Sequence, residues 1–446
     1  MAGVGQRIKE LRKASKLTQQ ELAEGVVTRS YISQIEKGLI QPSYDTLEKL
    51  SNKLGVSVED FFKEPENKAM LITDWKKYVR FAEGHAESGQ YEQAKKILDN
   101  LESASQEELN DFDLGILNWV HGKLREQANQ FQDAMPFYRK SLEHLAEYVD
   151  SKELVRSLDS LAYCNLQLND NQEALRILNE ANEVIIRYHL GGLVKTSVLI
   201  NTGVAHAKLG EYHSAIRLLN EANYLNHAMN VHYKAGHIYF ILGTCHMQIG
   251  EAESAVEFFR RAIDFYDYAG HIENKAGVIT NLGILYSNTG QGSKAAASLS
   301  DAILIYEQLR DAQVKTDPAE ADRLEARAAN ARIELARAFL LLGETAQVQA
   351  ICERILNGDH QPKFKAFAHL YLGNVNFQAA RYSEALENYQ DSYRLFLQSG
   401  DKKQIAELEE HLGNTYFELQ EFALSAQFYK QRLETTRTNP APLVTM

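Results

Sequence analysis

The chain has 446 residues, a formal net charge of −12 and a pI near 5.7, a length that exceeds one compact domain and predicts several, or a repeat array. Its three cysteines, Cys164, Cys245 and Cys352, stand isolated in apolar helical pattern, which excludes a CxxC metal site or a disulfide framework and fits a reducing cytoplasm. No signal peptide and no apolar run of membrane-spanning length is visible, so a soluble cytoplasmic protein with no membrane partner is expected.

In chain order, Val4 to Ser15 predicts a first helix with Ile8 and Leu11 inward and Arg7, Arg12 and Lys13 outward. Thr18 followed three residues later by Glu21 is a capping box that starts a second helix at Gln19, with Leu22 and Val26 on its buried side. Thr28 caps a third helix with Ile32 and Ile35 inward and Arg29, Ser30, Ser33, Gln34 and Lys37 outward, and Gly38 stops it. Pro42-Ser43 opens a fourth helix through Leu47, Leu50 and Leu54, after which Val58, Phe61 and Phe62 close the core. About 60 residues is near the lower limit for independent folding, so every one of these apolar positions is needed. An exposed helical face bearing Arg29, Ser30, Ser33 and Gln34 has the donors and acceptors that base edges require. Gln19 and Ser43, at helix N-termini, are placed to contact phosphate.

The segment from Ile8 to Phe62 resembles the Xre/Cro-C1 family of helix-turn-helix DNA-binding domains at nearly every signature position. Between Leu22 and Ile32 it is one residue shorter than most of that family. The shortened Glu24-Gly25-Val26 turn is similar to that of PlcR- and NprR-like quorum-sensing regulators of Gram-positive bacteria. Residues 1–37 hold seven Lys or Arg against four Glu, a net of +3, so the remainder carries −15. One weakly positive module on an acidic body attracts double-stranded DNA poorly, which argues for a homodimer presenting two modules to an inverted-repeat operator.

Pro65 and the polar Glu64–Lys68 run mark a linker, giving a DNA-binding domain over 1–64, a linker over 65–73, repeats over 74–437 and a disordered tail over 438–446. Beyond the linker the chain repeats: NTGVAHAKLGEYHSAIRLLNEA, ILGTCHMQIGEAESAVEFFRRA, NLGILYSNTGQGSKAAASLSDA and YLGNVNFQAARYSEALENYQDS share the tetratricopeptide pattern. In each, a small residue lets the two helices approach, a Gly or its equivalent ends the first helix, and a small residue on the second permits a tight crossing. That last position falls at Ala94, Ala134, Ala174, Ala215, Ala255, Ala295, Val348, Ala385 and Ser425, in steps of 40, 40, 41, 40, 40, 53, 37 and 40. The pattern predicts an all-α protein: a five-helix helix-turn-helix domain, then an α-solenoid of about nine hairpins with helices about one turn longer than the usual ~34-residue repeat allows. The 53-residue step holds an insertion around Pro318 that is expected to extend the flanking helices and interrupt the superhelix.

Such a solenoid presents a concave surface suited to an extended peptide. With the N-terminal domain, this layout resembles the RNPP family of cytoplasmic receptors for short imported signalling peptides. That family clamps peptide backbone with inner-helix asparagines, which donate and accept from one side chain. The resemblance carries this role to Asn201 and Asn281, two residues before the helix glycine, and to Asn374 and Asn414, which follow it. Lys123, Arg156 and Asp159 project onto the same surface, where they are expected either to pair with a charged group of the ligand or to be ordinary surface charge. Tyr239 and Phe240 form an apolar pocket or repeat core.

His206 and His246 take a packing position that Tyr286 and Phe339 fill elsewhere, so no metal site is expected. Nucleophile motifs and phosphate loops are absent, which leaves no support for catalysis or for a cofactor. Three functions stay open: a peptide-gated transcriptional regulator, a Rap-like scaffold acting on a phosphorelay response regulator in sporulation, and a peptide-independent DNA-binding repressor.

Overall fold

The computed structural model describes residues 3–15, 17–36, 40, 42, 44–56, 58–61, 75–102 and 109–437, and no strand occurs among them. Lys37, Gly38, Ser43, Phe62, the 65–73 linker and the 438–446 tail lie outside the described residues. By contacts the chain divides into two compact units, residues 1–78 with 100–104 and residues 79–99 with 105–446.

In the first unit, α1 (Gly3–Ala14), α2 (Gln19–Ala23), α3 (Arg29–Glu36), α4 (Tyr44–Leu54) and a 3-10 turn (Val58–Phe61) make the five expected helical elements. Ile8, Leu22, Ala23, Ile32, Ile35, Leu47, Leu50, Leu54 and Phe61 meet in one core. The capping box forms: Glu21 N–H donates to Thr18 Oγ1 at 3.2 Å, and Thr18 N–H to Glu21 Oε2 at 2.6 Å. Thr28 caps α3 through Tyr31 N–H at 3.2 Å. Gly25 takes φ +73° in the shortened turn, where only a residue without Cβ is unstrained. A side chain at Gly5 would run into the Ile35 carbonyl oxygen, so glycine is what lets α1 lie against the end of α3.

One inward–outward assignment is corrected here. Arg12, expected to face solvent, is buried. Its Nε and Nη2 donate to Glu36 Oε1 and Oε2 at 2.6 and 3.1 Å, and its Nη1 to the Leu17 carbonyl at 2.7 Å. Glu36, at the end of α3, is its charge partner.

From residue 75 onward the described residues form nine helical hairpins, all but the ends of the first lying in the second unit. The first three are α5 (Trp75–Glu87) with α6 (Tyr91–Glu102), α7 (Asp111–Gln127) with α8 (Phe131–His144), and α9 (Lys152–Gln167) with α10 (Asn171–Arg187). Then follow α11 (Leu193–Lys208) with α12 (Tyr212–Ala228), α13 (Ala235–Gln248) with α14 (Ala252–Tyr268), and α15 (Ile272–Asn288) with α16 (Gly292–Gln313). The last are α17 (Pro318–Leu342) with α18 (Thr345–Asn357), α19 (Pro362–Gln378) with α20 (Tyr382–Ser399), and α21 (Lys402–Glu418) with α22 (Phe422–Arg437). All nine residues of the spacing ruler, Ala94 through Ser425, are buried. A Cβ on Gly243 would come within 2.6 Å of Phe259, and one on Gly283 within 2.6 Å of Leu299, so these glycines set how closely the two helices of a hairpin approach.

Each first helix ends on a left-handed residue, glycine in five hairpins but Asn129, Asn169, Ala380 and Gln420 in the others. His206 and His246 are only half-buried, and each spans its turn to a carboxylate, Glu211 at 2.6 Å and Glu251 at 2.7 Å. The insertion does lengthen α16 to 22 and α17 to 25 residues. Packing continues through it, because α17 contributes Ala331, Leu335 and Ala338 to the core on one side and Ala329, Ile333 and Ala336 to the next. Arg332, almost wholly enclosed, ties the same helix to Glu307 of α16 at 2.5 Å and also pairs with Glu325 within α17 at 2.7 Å.

Candidate DNA-reading helix and candidate ligand groove

On α3 the core takes Ile32 and Ile35, and the 3.6-residue period turns Arg29, Ser30 and Gln34 to solvent, with Ser33 half-buried beside them. Arg29 and Ser30 sit in the first turn, where recognition helices reach base edges. The Gln19 side chain is engaged within the domain, its Nε2 donating to Glu36 Oε2 at 2.8 Å, while its backbone N–H stands at the start of α2. Burial pushes the Glu36 carboxyl upward, but hydrogen bonds from Arg12 and Gln19 and the Arg12 charge outweigh it and hold it below the ordinary glutamate value. Neither Arg12 nor Glu36 had a helical-period signature of a pair. Only the packing of α1 on α3 joins positions 24 residues apart.

The groove residues come from the first helices of successive hairpins. Asp159 on α9 is the hub. Its Oδ2 accepts from Ser197 Oγ at 2.7 Å and its Oδ1 from Asn201 Nδ2 at 2.8 Å, both on α11. Tyr233 O–H in turn donates to Ser197 Oγ at 3.3 Å, which carries the network to the start of α13. Burial raises the Asp159 carboxyl above the usual aspartate value, opposed by the Lys234 charge and by the bonds from Ser197 and Asn201. Asn201, expected to clamp peptide backbone, is buried with its Nδ2 donated to Asp159.

Asn281 remains half-buried, its Nδ2 donating to its own helix at Gly277 O, 2.9 Å away, while its amide oxygen accepts from no donor among the described residues. Asn374 and Asn414 have their amide oxygens engaged within the chain. Their amide oxygens accept from Tyr389 and Tyr429 of their own hairpins at 2.8 and 2.6 Å, because the tyrosine replaces the leucine or phenylalanine found there in other repeats.

The three charged residues are engaged within the chain. Lys123 pairs with Glu126 at 2.5 Å, and Glu126 outweighs the burial that would lower the Lys123 ammonium. Arg156 lies over the Trp119 ring, 3.8 Å from its centroid, and pairs with Glu83 at 2.7 Å and with Glu87. Tyr239 packs against Phe258 and Phe265 as repeat core, and Phe240 is half-buried beside Phe259. Lys234, absent from the sequence expectations, enters this surface at φ +50° as the residue before α13, a conformation that sequence pattern does not announce for lysine. Beside it, burial and the Lys234 charge push the His237 imidazole down to about 4. No group of three or more metal-ligating side chains occurs among the described residues, and none of their helices is long and apolar enough to cross a membrane.

A helix-turn-helix family model matches residues 8–61, and a tetratricopeptide-repeat model matches residues 236–266. The chain is 24% identical over 285 residues to the transcriptional activator NprA of Geobacillus stearothermophilus, covering 60% of this chain and 63% of that one. Over 56 residues it is 50% identical to the immunity repressor of Bacillus phage phi105, covering 12% of this chain and 39% of the repressor. The chain thus spans less than two thirds of either relative. Among solved structures, the apo form of the quorum sensor NprR from B. thuringiensis superposes with a TM-score of 0.62 at 14% identity, covering 81% of this chain and 99% of that one. These matches and the geometry define a helix-turn-helix protein that carries a tetratricopeptide-repeat solenoid. In domain order it is similar to the regulator NprA, and in fold to the quorum sensor NprR.

Proposed function

We propose that this protein is a cytoplasmic transcriptional regulator that binds an inverted-repeat operator as a homodimer and is controlled by a short peptide held in the groove of its repeats. The observation that carries the reading is the exposed Arg29, Ser30 and Gln34 face of α3, buried on its other side into a complete helix-turn-helix core. NprA's description as a transcriptional activator supports the regulatory arm. Within the solenoid, Asn281 offers a ligand an amide oxygen from a helix interior, as backbone recognition requires. On the DNA, Arg29, Ser30, Ser33 and Gln34 read bases, and the Gln19 backbone contacts phosphate, with Ser43 in the same role.

Selection of duplexes from a random pool by the full chain, followed by footprinting, tests the DNA arm. Two protected half-sites in inverted repeat are expected, separated by about one helical turn or a multiple. A single protected half-site at saturating protein would refute the dimeric reading. The peptide arm is tested by retention of members of a random heptapeptide pool on the full chain, and it fails if none is retained.

A further inference from the structure

The first three hairpins share a contact that skips the middle one. On α5, Arg80, Glu83 and Glu87 fall on one face, and on α9 so do Glu153 and Arg156, at the three- and four-residue spacing that stacks helical side chains. Arg80 Nη1 lies 3.6 Å from Glu153 Oε1, and Arg156 Nη2 lies 2.7 Å from Glu83 Oε1, the second contact one turn along both helices from the first. Arg156 Nη1 also donates to Glu87. Two helices that flank a third can touch across it only where the solenoid curves inward, so this contact bridges the groove above α7.

What the bridge covers is aromatic. The Arg80 guanidinium lies 5.0 Å from the centroid of the Phe112 ring and that of Arg156 lies 3.8 Å from the centroid of Trp119, both rings belonging to α7. Trp119 is only 3% exposed, and its indole N–H donates to Ser160 Oγ of α9 at 3.0 Å.

Charge holds the bridge more than directional bonds do. Arg156 Nε and Nη2 are buried and donate no hydrogen bond among the described residues, so the approach to Glu83 is an unaligned ion pair. Glu87 keeps 48% of its side chain exposed. The apolar residues of α5, Val79, Ala82 and Ala86, are buried apart from these charges. The bridge can therefore open while its hairpin stays packed, and salt, which screens charges and not apolar contacts, favours opening.

We propose that Arg80, Glu83, Glu87, Glu153 and Arg156 form a latch over the groove, closed with Arg156 on the Trp119 indole and open with that ring uncovered and α5 released from α9. The latch gates access to the aromatic rings of α7. It goes beyond the peptide reading and does not depend on it, because no ligand takes part in the closed state.

Acrylamide quenching reads the latch in full-length Trp75→Phe, where Trp119 is the one tryptophan left of the chain's two. Going from about 0.1 to about 1 M NaCl shortens the screening length from about 10 to about 3 Å, and the Trp119 quenching constant should rise at least threefold at constant helicity. Adding Glu83→Gln with Glu87→Gln should give the high value already at low salt, with no further response. Arg156→Met separates the two roles. Its thioether still covers the indole, so quenching stays low at every salt, while α5 amides exchange at least tenfold faster and those of α13 hold. A quenching constant that rises by less than half with salt while the latch residues are intact overturns the proposal. So does a folded Glu83→Gln, Glu87→Gln chain in which Trp119 is as protected as before. If that chain does not fold, the salt response and Arg156→Met decide. Failure to retain heptapeptides bears on the groove reading alone.

Discussion

Replacing Glu36 by Ala removes the charge partner of Arg12, the acceptor of Gln19 and one of the ties between α1 and α3. The pair is well covered, with 10% of the Arg12 and 2% of the Glu36 side-chain surface exposed. Breaking a buried pair costs ~3–5 kcal/mol because one charge is stranded, whereas an exposed pair contributes under about 1. Here the pair lies in a shallow site at the edge of a small domain, and Arg12 keeps the Leu17 carbonyl as an acceptor, so about 2 kcal/mol is expected. A domain of this size has only a few kcal/mol in all, so that loss is a large fraction of its stability. Amide hydrogen exchange on the full chain reads it locally: amides of α1 and α3 should exchange about thirtyfold faster, at 1.4 kcal/mol per tenfold, while α11 to α14 stay unchanged.

The double variant Arg12→Met, Glu36→Leu should recover most of the protection, since an apolar pair of similar volume leaves no stranded charge. Acid should mimic the single variant. Glu36 sits below its ordinary value when folded, so its contribution is complete above about pH 4.3 and is lost as pH falls through the lowered folded value. Exchange in α1 and α3 that changes by less than threefold in Glu36→Ala would refute the reasoning, as would a double variant no better protected than the single.

Arg29→Ala should weaken binding to the selected operator by ~1–3 kcal/mol and binding to random duplexes far less; equal losses on both would make Arg29 a phosphate contact. Asn201→Ala should lower solenoid stability by ~1–2 kcal/mol in urea unfolding, because it leaves an Asp159 oxygen unsatisfied in a buried site. Asn281→Ala should cost no more than ~0.5 kcal/mol yet reduce heptapeptide retention tenfold, and a variant that retains peptides normally would place the backbone clamp elsewhere. Ala380→Gly should raise stability by about 0.5 kcal/mol, since it relieves a left-handed alanine at a hairpin turn at the cost of some unfolded-state entropy; a lower melting temperature would contradict this.

The sequence by itself determined whatever rests on local period and local capping. The Thr18–Glu21 box, the Thr28 cap, the split of α3 into Ile32 and Ile35 against Arg29, Ser30 and Gln34, and the ruler from Ala94 to Ser425 are all set by neighbours within one or two turns. Tertiary structure alone decided how polar side chains are spent. Arg12 looked solvated because its partner Glu36 lies on another helix, 24 residues on. Asn201 looked like a ligand donor because the carboxylate that claims it, Asp159, belongs to the preceding hairpin, 42 residues away. Asn374 and Asn414 are claimed by tyrosines across their own hairpins. A buried polar group must be satisfied by something, and in a solenoid that something is usually a repeat-length distant in sequence.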